Sequence, residues 1–180
     1  MDILKVALFG HRDFCATREI EDKLYNILRD LMVTRSYVDF YIGRNGEFDV
    51  FAAALIKKIK KELDDSSCSM ILILPYNVKD IEYYEKYYDD IIICENEEKI
   101  HPKEAITKRN RWMVETCDLL VCFVKHNNGG AYKAMKYAEK LERKIINLFS
   151  FWSFWKDRVQ GKENLFSKSF PSPANHIIKK

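Results

Sequence analysis

Residues Leu119–Tyr132 read LLVCFVKHNNGGAY. An apolar run, Leu119–Val124, gives way to a polar loop and then to Gly129-Gly130. A short run without polar interruption suits a strand covered on both faces. After the glycines, Ala134, Tyr137, Ala138 and Leu141 recur at helix spacing, which predicts a helix through Glu142. Strand, glycine turn and returning helix form the repeating unit of an α/β protein.

The same alternation extends outward from this stretch. Lys5–Phe9 (KVALF) predicts a buried strand, and Arg18–Val33 a helix carrying Ile20, Leu24, Ile27, Leu28, Leu31 and Met32. Thr17 is placed to cap that helix, and Glu19, Glu21 and Asp22 favour its dipole. Val38–Ile42 (VDFYI) is a second strand and Gly43–Phe48 a loop. Asp49 is a candidate cap for a helix with Val50, Ala53, Ala54, Ile56, Ile59 and Leu63. Met70–Leu74 (MILIL) is a third strand, ended by Pro75. Asn77–Tyr88 reads as a short helix or ordered loop, and Ile91–Cys94 as a fourth strand. His101-Pro102 opens a helix running to about Cys117. Beyond the opening stretch, Ile145–Leu148 is a sixth strand. Right-handed crossovers then imply an α/β Rossmann-like three-layer sandwich with a mainly parallel sheet over residues 1–150. From Phe151 the pattern fails. Phe151, Trp152, Phe154 and Trp155 cluster, and a polar stretch leads to a basic end. Residues 151–180 read as a tail packed on the domain or used in association, homo-oligomer formation included.

Composition narrows the classes. A length of 180 residues fits one domain with a proper core, and 47% hydrophobic residues argue against disorder. A net charge of +3 argues against nucleic acid or a membrane surface as partner. No apolar run is long enough to span a bilayer, and the N-terminus lacks a signal-peptide pattern. The five cysteines include no Cys-x-x-Cys pair. They read as buried reduced thiols rather than a zinc site or disulfide framework, in a reducing, cytoplasmic compartment.

Ligands of open parallel sheets bind beyond the carboxyl ends of the strands. Gly10-His11-Arg12 follows the first strand, and Arg12 suits bidentate contact with phosphate or carboxylate, or pairing with Asp13 or Asp49. Gly43-Arg44-Asn45-Gly46-Glu47-Phe48-Asp49 follows the second. Its glycines let amides face an anion, while Glu47 and Asp49 supply carboxylates for a ribose hydroxyl or for acid–base work. Asn128-Gly129-Gly130 follows the fifth and opens a helix, the setting of an anion site. In Lys108–Glu115, Arg109, Arg111 and Trp112 suit a nucleotide by charge and stacking. Arg111 and Glu115, four apart, equally suit a simple pair, and Trp112 and Met113 inward packing. No G-x-G-x-x-G, Walker A, H-E-x-x-H or G-x-S-x-G signature occurs, and no metal or cofactor is expected.

Taken in order, the motifs are Gly10-His11-Arg12, Gly43-x-x-Gly46-x-x-Asp49, Ile73-Leu74-Pro75-Tyr76, Arg109-Asn110-Arg111-Trp112-Met113-Val114, Cys117-Asp118 and Gly129-Gly130. Over residues 4–149 this set resembles the YpsA-like branch of the SLOG superfamily, which also includes DprA and the LOG phosphoribohydrolases. The resemblance implies a Rossmann-like fold with a pocket for nucleotides or nucleotide-derived molecules. LOG enzymes carry Pro-Gly-Gly-x-Gly-Thr and a downstream glutamate. This chain has Asn128-Gly129-Gly130-Ala131-Tyr132 and no acid until Glu139.

Three functions are therefore expected, in descending order. The first is binding or sensing of a nucleotide or ADP-ribose-like ligand through Gly10, His11, Arg12, Gly43, Gly46, Asp49, Arg109, Arg111, Asn128, Gly129 and Gly130. The second is N-glycosidic hydrolysis, with Glu47, Asp49 and Glu115 as candidate catalytic carboxylates. The third is binding of single-stranded nucleic acid.

Overall fold

A computed structural model describes residues 2–44, 46–63, 67–94 and 101–150. The aromatic tail, residues 151–180, lies outside the described residues.

The elements follow in strict alternation: β1 (Ile3–Gly10), α1 (Arg18–Thr34), β2 (Tyr37–Ile42), α2 (Glu47–Leu63), β3 (Cys68–Leu74), α3 (Ile81–Glu85), β4 (Asp90–Ile93), α4 (Pro102–Thr116), β5 (Leu119–Phe123), α5 (Gly129–Lys140) and β6 (Lys144–Asn147). One six-stranded sheet runs in the order β4-β3-β2-β1-β5-β6, and every pairing is parallel. The protein is thus an α/β Rossmann-like sandwich, with a sheet that is parallel throughout.

Side-chain alternation along each strand builds the layers. Val6 and Leu8 point into a core shared with α1 and α2, where Leu24, Leu28, Phe48 and Ile56 are fully buried. Ala7 and Phe9 point to the opposite face, against Met113 and Val114 of α4 and Ala131, Ala134 and Ala138 of α5. The alanine stripe lets α5 lie close to the sheet, because helix separation follows the size of the side chains at the contact.

Thr17 caps α1 as expected, its Oγ1 accepting from the Ile20 amide at 3.4 Å. His101 caps α4, its Nδ1 accepting from the Lys103 amide at 3.3 Å. The start of α2 differs from expectation. Asp49 is not the cap: the helix begins at Glu47, and the Gly46 carbonyl accepts from the amides of Asp49 and Val50. Ala53, Ile56 and Ile59 are buried as expected, together with Phe48, Ala52 and Leu55, whereas Val50, 61% exposed, and Ala54 face outward.

All five cysteines are thiols outside any disulfide. Cys68, Cys117 and Cys122 are buried, Cys94 is half-buried and Cys15 is exposed, so Cys15 departs from the expected burial. Loss of hydration pushes the Cys117 thiol up to about 11 and the Cys122 thiol up to about 12, which keeps both protonated and unreactive near neutrality. Among the described residues no helix is long and apolar enough to cross a membrane.

Candidate ligand cleft

The chain steps outward from β1 to β4 and then returns past β1 to β5. The loops that follow β1 and β5 therefore leave the sheet in opposite directions and open a crevice between them. A cleft of about 450 Å³ lies there, within the range of about 300–1,000 Å³ that small-molecule sites occupy. Gly10, His11, Arg12, Gly43, Gly46, Asp49, Arg109, Asn128, Gly129 and Gly130 all line it. Three loops and one helix, far apart in sequence, thus meet at the carboxyl edge.

Two of these loops are stitched by backbone. The Glu47 amide donates to the Arg12 carbonyl at 3.2 Å, and Glu47 Oε2 accepts from the Phe14 amide at 3.0 Å. The carboxylate of Glu47 thus serves the fold and does not line the cleft. The β1 and β5 loops are joined by His11. Its Nε2 accepts from the amides of Lys125 and His126, each at 3.0 Å. An acceptor at Nε2 places the ring proton on Nδ1, the tautomer of a neutral imidazole. Burial, followed by the neighbouring His126, lowers the His11 pKa and holds this neutral form, while Asp13 opposes them more weakly. His11 is thus a clamp between two loops as well as a wall of the cleft.

The floor of the cleft is built on Gly43. A methyl group at that position would come within 2.5 Å of Arg109 Nη1 and 2.7 Å of Asp49 Oδ2. Arg109 and Asp49 thus converge over a position that only glycine fits. Arg109 is 5% exposed and donates from Nη1 to the Ile73 carbonyl at 3.3 Å. Burial lowers its pKa, and the nearby Asp49 is the main influence raising it again. Its Nε has no hydrogen-bond partner among the described residues. Gly129 adopts φ 84°, a left-handed conformation that a side chain would strain, and opens α5 with no acidic residue in the first turn. The positive end of α5 therefore faces the cleft unopposed by a carboxylate of its own.

Two other expected site residues are not brought to the cleft. Arg111, on the flank of α4, sits over the Tyr137 ring at 5.8 Å and does not pair with Glu115. The Glu115 carboxylate accepts from the Tyr137 hydroxyl at 2.5 Å, and its carbonyl accepts from Arg143. Both face α5 because residues 111 and 115 share a helix side turned some 100° per residue away from Arg109 and Asn110. Trp112 packs with its ring centre 5.7 Å from that of Tyr41 and does not line the cleft.

Asn110, with Asp13, Ile106 and His126, lines the cleft outside the set expected from the sequence. It lines the cleft beside Ile106 and Arg109, and its Oδ1 is buried without a partner among the described residues. The spacing of 106, 109 and 110, one helix face, is the signal that identifies it.

No protein-family model and no curated protein matches the chain. Solved structures do. DNA processing protein A (DprA) from Streptococcus pneumoniae superposes with a TM-score of 0.59 at 13% identity, covering 79% of this chain and 49% of that one. DprA from Helicobacter pylori, described by its single-stranded DNA binding mode, gives 0.57 at 16% identity, covering 79% of this chain and 63% of that one. The molybdenum cofactor binding protein from Rippkaea orientalis gives 0.53 at 18% identity, covering 87% and 85%. This chain therefore spans about half to two thirds of the DprA chains it matches. The expectation that nucleic acid is not a partner gains no support from these neighbours. The chain has the Rossmann-like fold seen in DprA and in a molybdenum cofactor binding protein.

Proposed function

We propose that the protein binds a nucleotide or nucleotide-derived, ADP-ribose-like molecule in the cleft above β1 and β5, with a phosphate against the start of α5. The observation that carries this reading is Arg109, a guanidinium 5% exposed whose Nε lacks a partner among the described residues at the cleft floor. Burying such a charge is costly unless something offsets the lost hydration. Asp49 offsets part of it, and an anion in the cleft would complete the compensation. The amides at Gly129 and Gly130 supply the matching donors. Arg12 stands at the rim for a second phosphate oxygen, and Asp49 is placed to accept from a ribose hydroxyl. Asp49 is the one predicted carboxylate that lines the cleft, so binding without turnover fits better than glycosidic hydrolysis. The ordered motifs favour the YpsA-like branch among SLOG proteins, and five thiols outside any disulfide fit a reducing, cytoplasmic setting.

Calorimetric titration with AMP, ADP and ADP-ribose tests this reading. Binding of at least one is expected, and at a ligand concentration of 100 Kd the folded state should gain about 2.7 kcal/mol. Gly130→Val should abolish binding while keeping the thermal transition, because an added Cβ meets only Asn110 Nδ2 at 3.4 Å and the rest of the side chain enters the cleft. A well-folded protein that binds none of these ligands refutes the reading.

A further inference from the structure

The ligand cleft does not end at Arg12. A wider depression of about 530 Å³ opens on the α2 side of the β1 and β2 loops and shares Arg12, Asp13 and Gly46 with the cleft. Only a saddle of backbone separates the two. The loops touch there: the Glu47 amide donates to the Arg12 carbonyl at 3.2 Å, and a Cβ on Gly46 would lie 3.4 Å from the Arg12 Cα. Gly46 itself has no side chain to raise the saddle.

The floor of the depression is apolar. Val50 and Phe51 follow Glu47 by three and four residues on α2, so all three share one helix face. Val50 is 61% exposed, and the Phe51 ring is set against Phe14 with centres 5.2 Å apart. Two guanidinium groups stand beside this floor, Arg12 at the saddle and Arg44 beyond it. Arg44 donates from Nη1 to the Tyr84 hydroxyl at 2.8 Å and lies 5.3 Å from the centre of that ring. Tyr84 packs edge-on against Tyr83 in turn. A neutral partner thus positions Arg44 and leaves its charge uncompensated. Neither arginine forms an ion pair among the described residues.

These features match the far end of an elongated ligand. A guanidinium at the saddle suits bidentate contact with a pyrophosphate leaving the cleft. The exposed carboxylate of Asp13 can accept from sugar hydroxyls. A flat heteroaromatic ring would cover Val50 and Phe51 and stack on the Arg44 guanidinium. A bare sugar would leave that apolar surface wet.

We propose that the depression is a second nucleoside subsite, so that the preferred ligand is a dinucleoside pyrophosphate. One nucleotide lies in the cleft, the pyrophosphate crosses the saddle at Arg12, and the second base rests on Val50 and Phe51 beside Arg44. The inference rests on the nucleotide reading of the cleft and carries it past ADP-ribose, whose second sugar bears no base.

Calorimetric titration of the full chain with AMP, ADP-ribose and diadenosine diphosphate tests it, because the last two differ only by the second adenine. Diadenosine diphosphate should bind roughly tenfold more tightly than ADP-ribose, the effect of one stacked base. The double variant Arg44→Gln/Val50→Ser should bind it no more tightly than ADP-ribose, with an unchanged thermal transition verifying that folding is intact. Equal affinity of the parent for the two ligands overturns the proposal and leaves the cleft reading standing. A tenfold gain that persists in the double variant overturns it too, since the second base then lies elsewhere. Failure of all three ligands to bind the folded protein overturns both.

Discussion

Gly10 ends β1 against the ring of Phe48, the second residue of α2. A Cβ on Gly10 would lie 2.1–2.6 Å from Phe48 atoms, and Phe48 is fully buried with no room to retreat. The residue is therefore needed for close packing between a strand end and a helix start, and this contact holds the β1 and β2 loops side by side. Gly10→Ala should destabilise the protein by about 1–3 kcal/mol, the usual cost of overpacking a core. Urea unfolding reads this directly, and a midpoint unchanged from the parent would contradict it. Gly43 is constrained differently, by polar atoms of Arg109 and Asp49, so its substitution would disturb the cleft floor before the core.

At the scale of elements, the β1 and β5 loops are coupled through one imidazole. The amides of Lys125 and His126 share the lone pair of His11 Nε2, and protonation of that nitrogen removes both hydrogen bonds. The folded state lowers the His11 pKa from 6.5, so the unfolded chain takes up this proton first as pH falls. The clamp contributes its full stability above about 6.5 and loses it as pH falls from there through the folded-state pKa. Urea unfolding from pH 7.5 to 5 should show a decline that His11→Gln flattens, since an amide oxygen accepts without titrating. A parallel decline in both proteins would mean that other groups carry the acid sensitivity. The coupling also bears on the cleft, because His11 fixes the loop that leads into Gly129.

For the molecule as a whole, the sheet order sets a gradient of stability. β1, β2, β3 and β5 are paired on both edges, while β4 and β6 each have one paired edge. Leu8, Phe40, Leu72 and Val121 are 0% exposed at the centre, whereas Ile91–Ile93 and Ile145–Asn147 are half-buried. Hydrogen exchange should therefore be slowest at the amides of those central residues and measurably faster in β4 and β6. Uniform protection across all six strands would show that the sheet opens only as one unit. The same sheet order fixes the ligand cleft, since outward growth from β1 followed by a return to β5 leaves a crevice at that seam.

Fold class was legible in the sequence because strand and helix periods differ. LLVCFV, KVALF and MILIL were apolar without interruption, and the helix of residues 18–33 repeated every three to four. Most of the cleft was legible too, because glycines after a strand mark turns at the ligand edge. What local pattern did not carry was rotation and partnership. Phe48, outside the expected inward set of α2, packs under Gly10 at a contact 38 positions apart, while Val50 is left exposed. Glu47 went to the Phe14 amide, Arg111 and Glu115 to the Tyr137 side, and Trp112 to Tyr41. Each outcome depends on which distant element lies against a side chain, and no window of sequence contains that information. Net charge shows the same divide. The chain sums to +3, but only the packing of α4 beside α5 gathers Arg111, Lys133, Lys136 and Lys140 into one groove. The order of residues determined an all-but-complete list of strands, helices and glycine turns, since these follow from short-range sterics and burial period. Tertiary structure alone decided which charges face one another and which carboxylate reaches the cleft, because electrostatics acts through space and not along the chain.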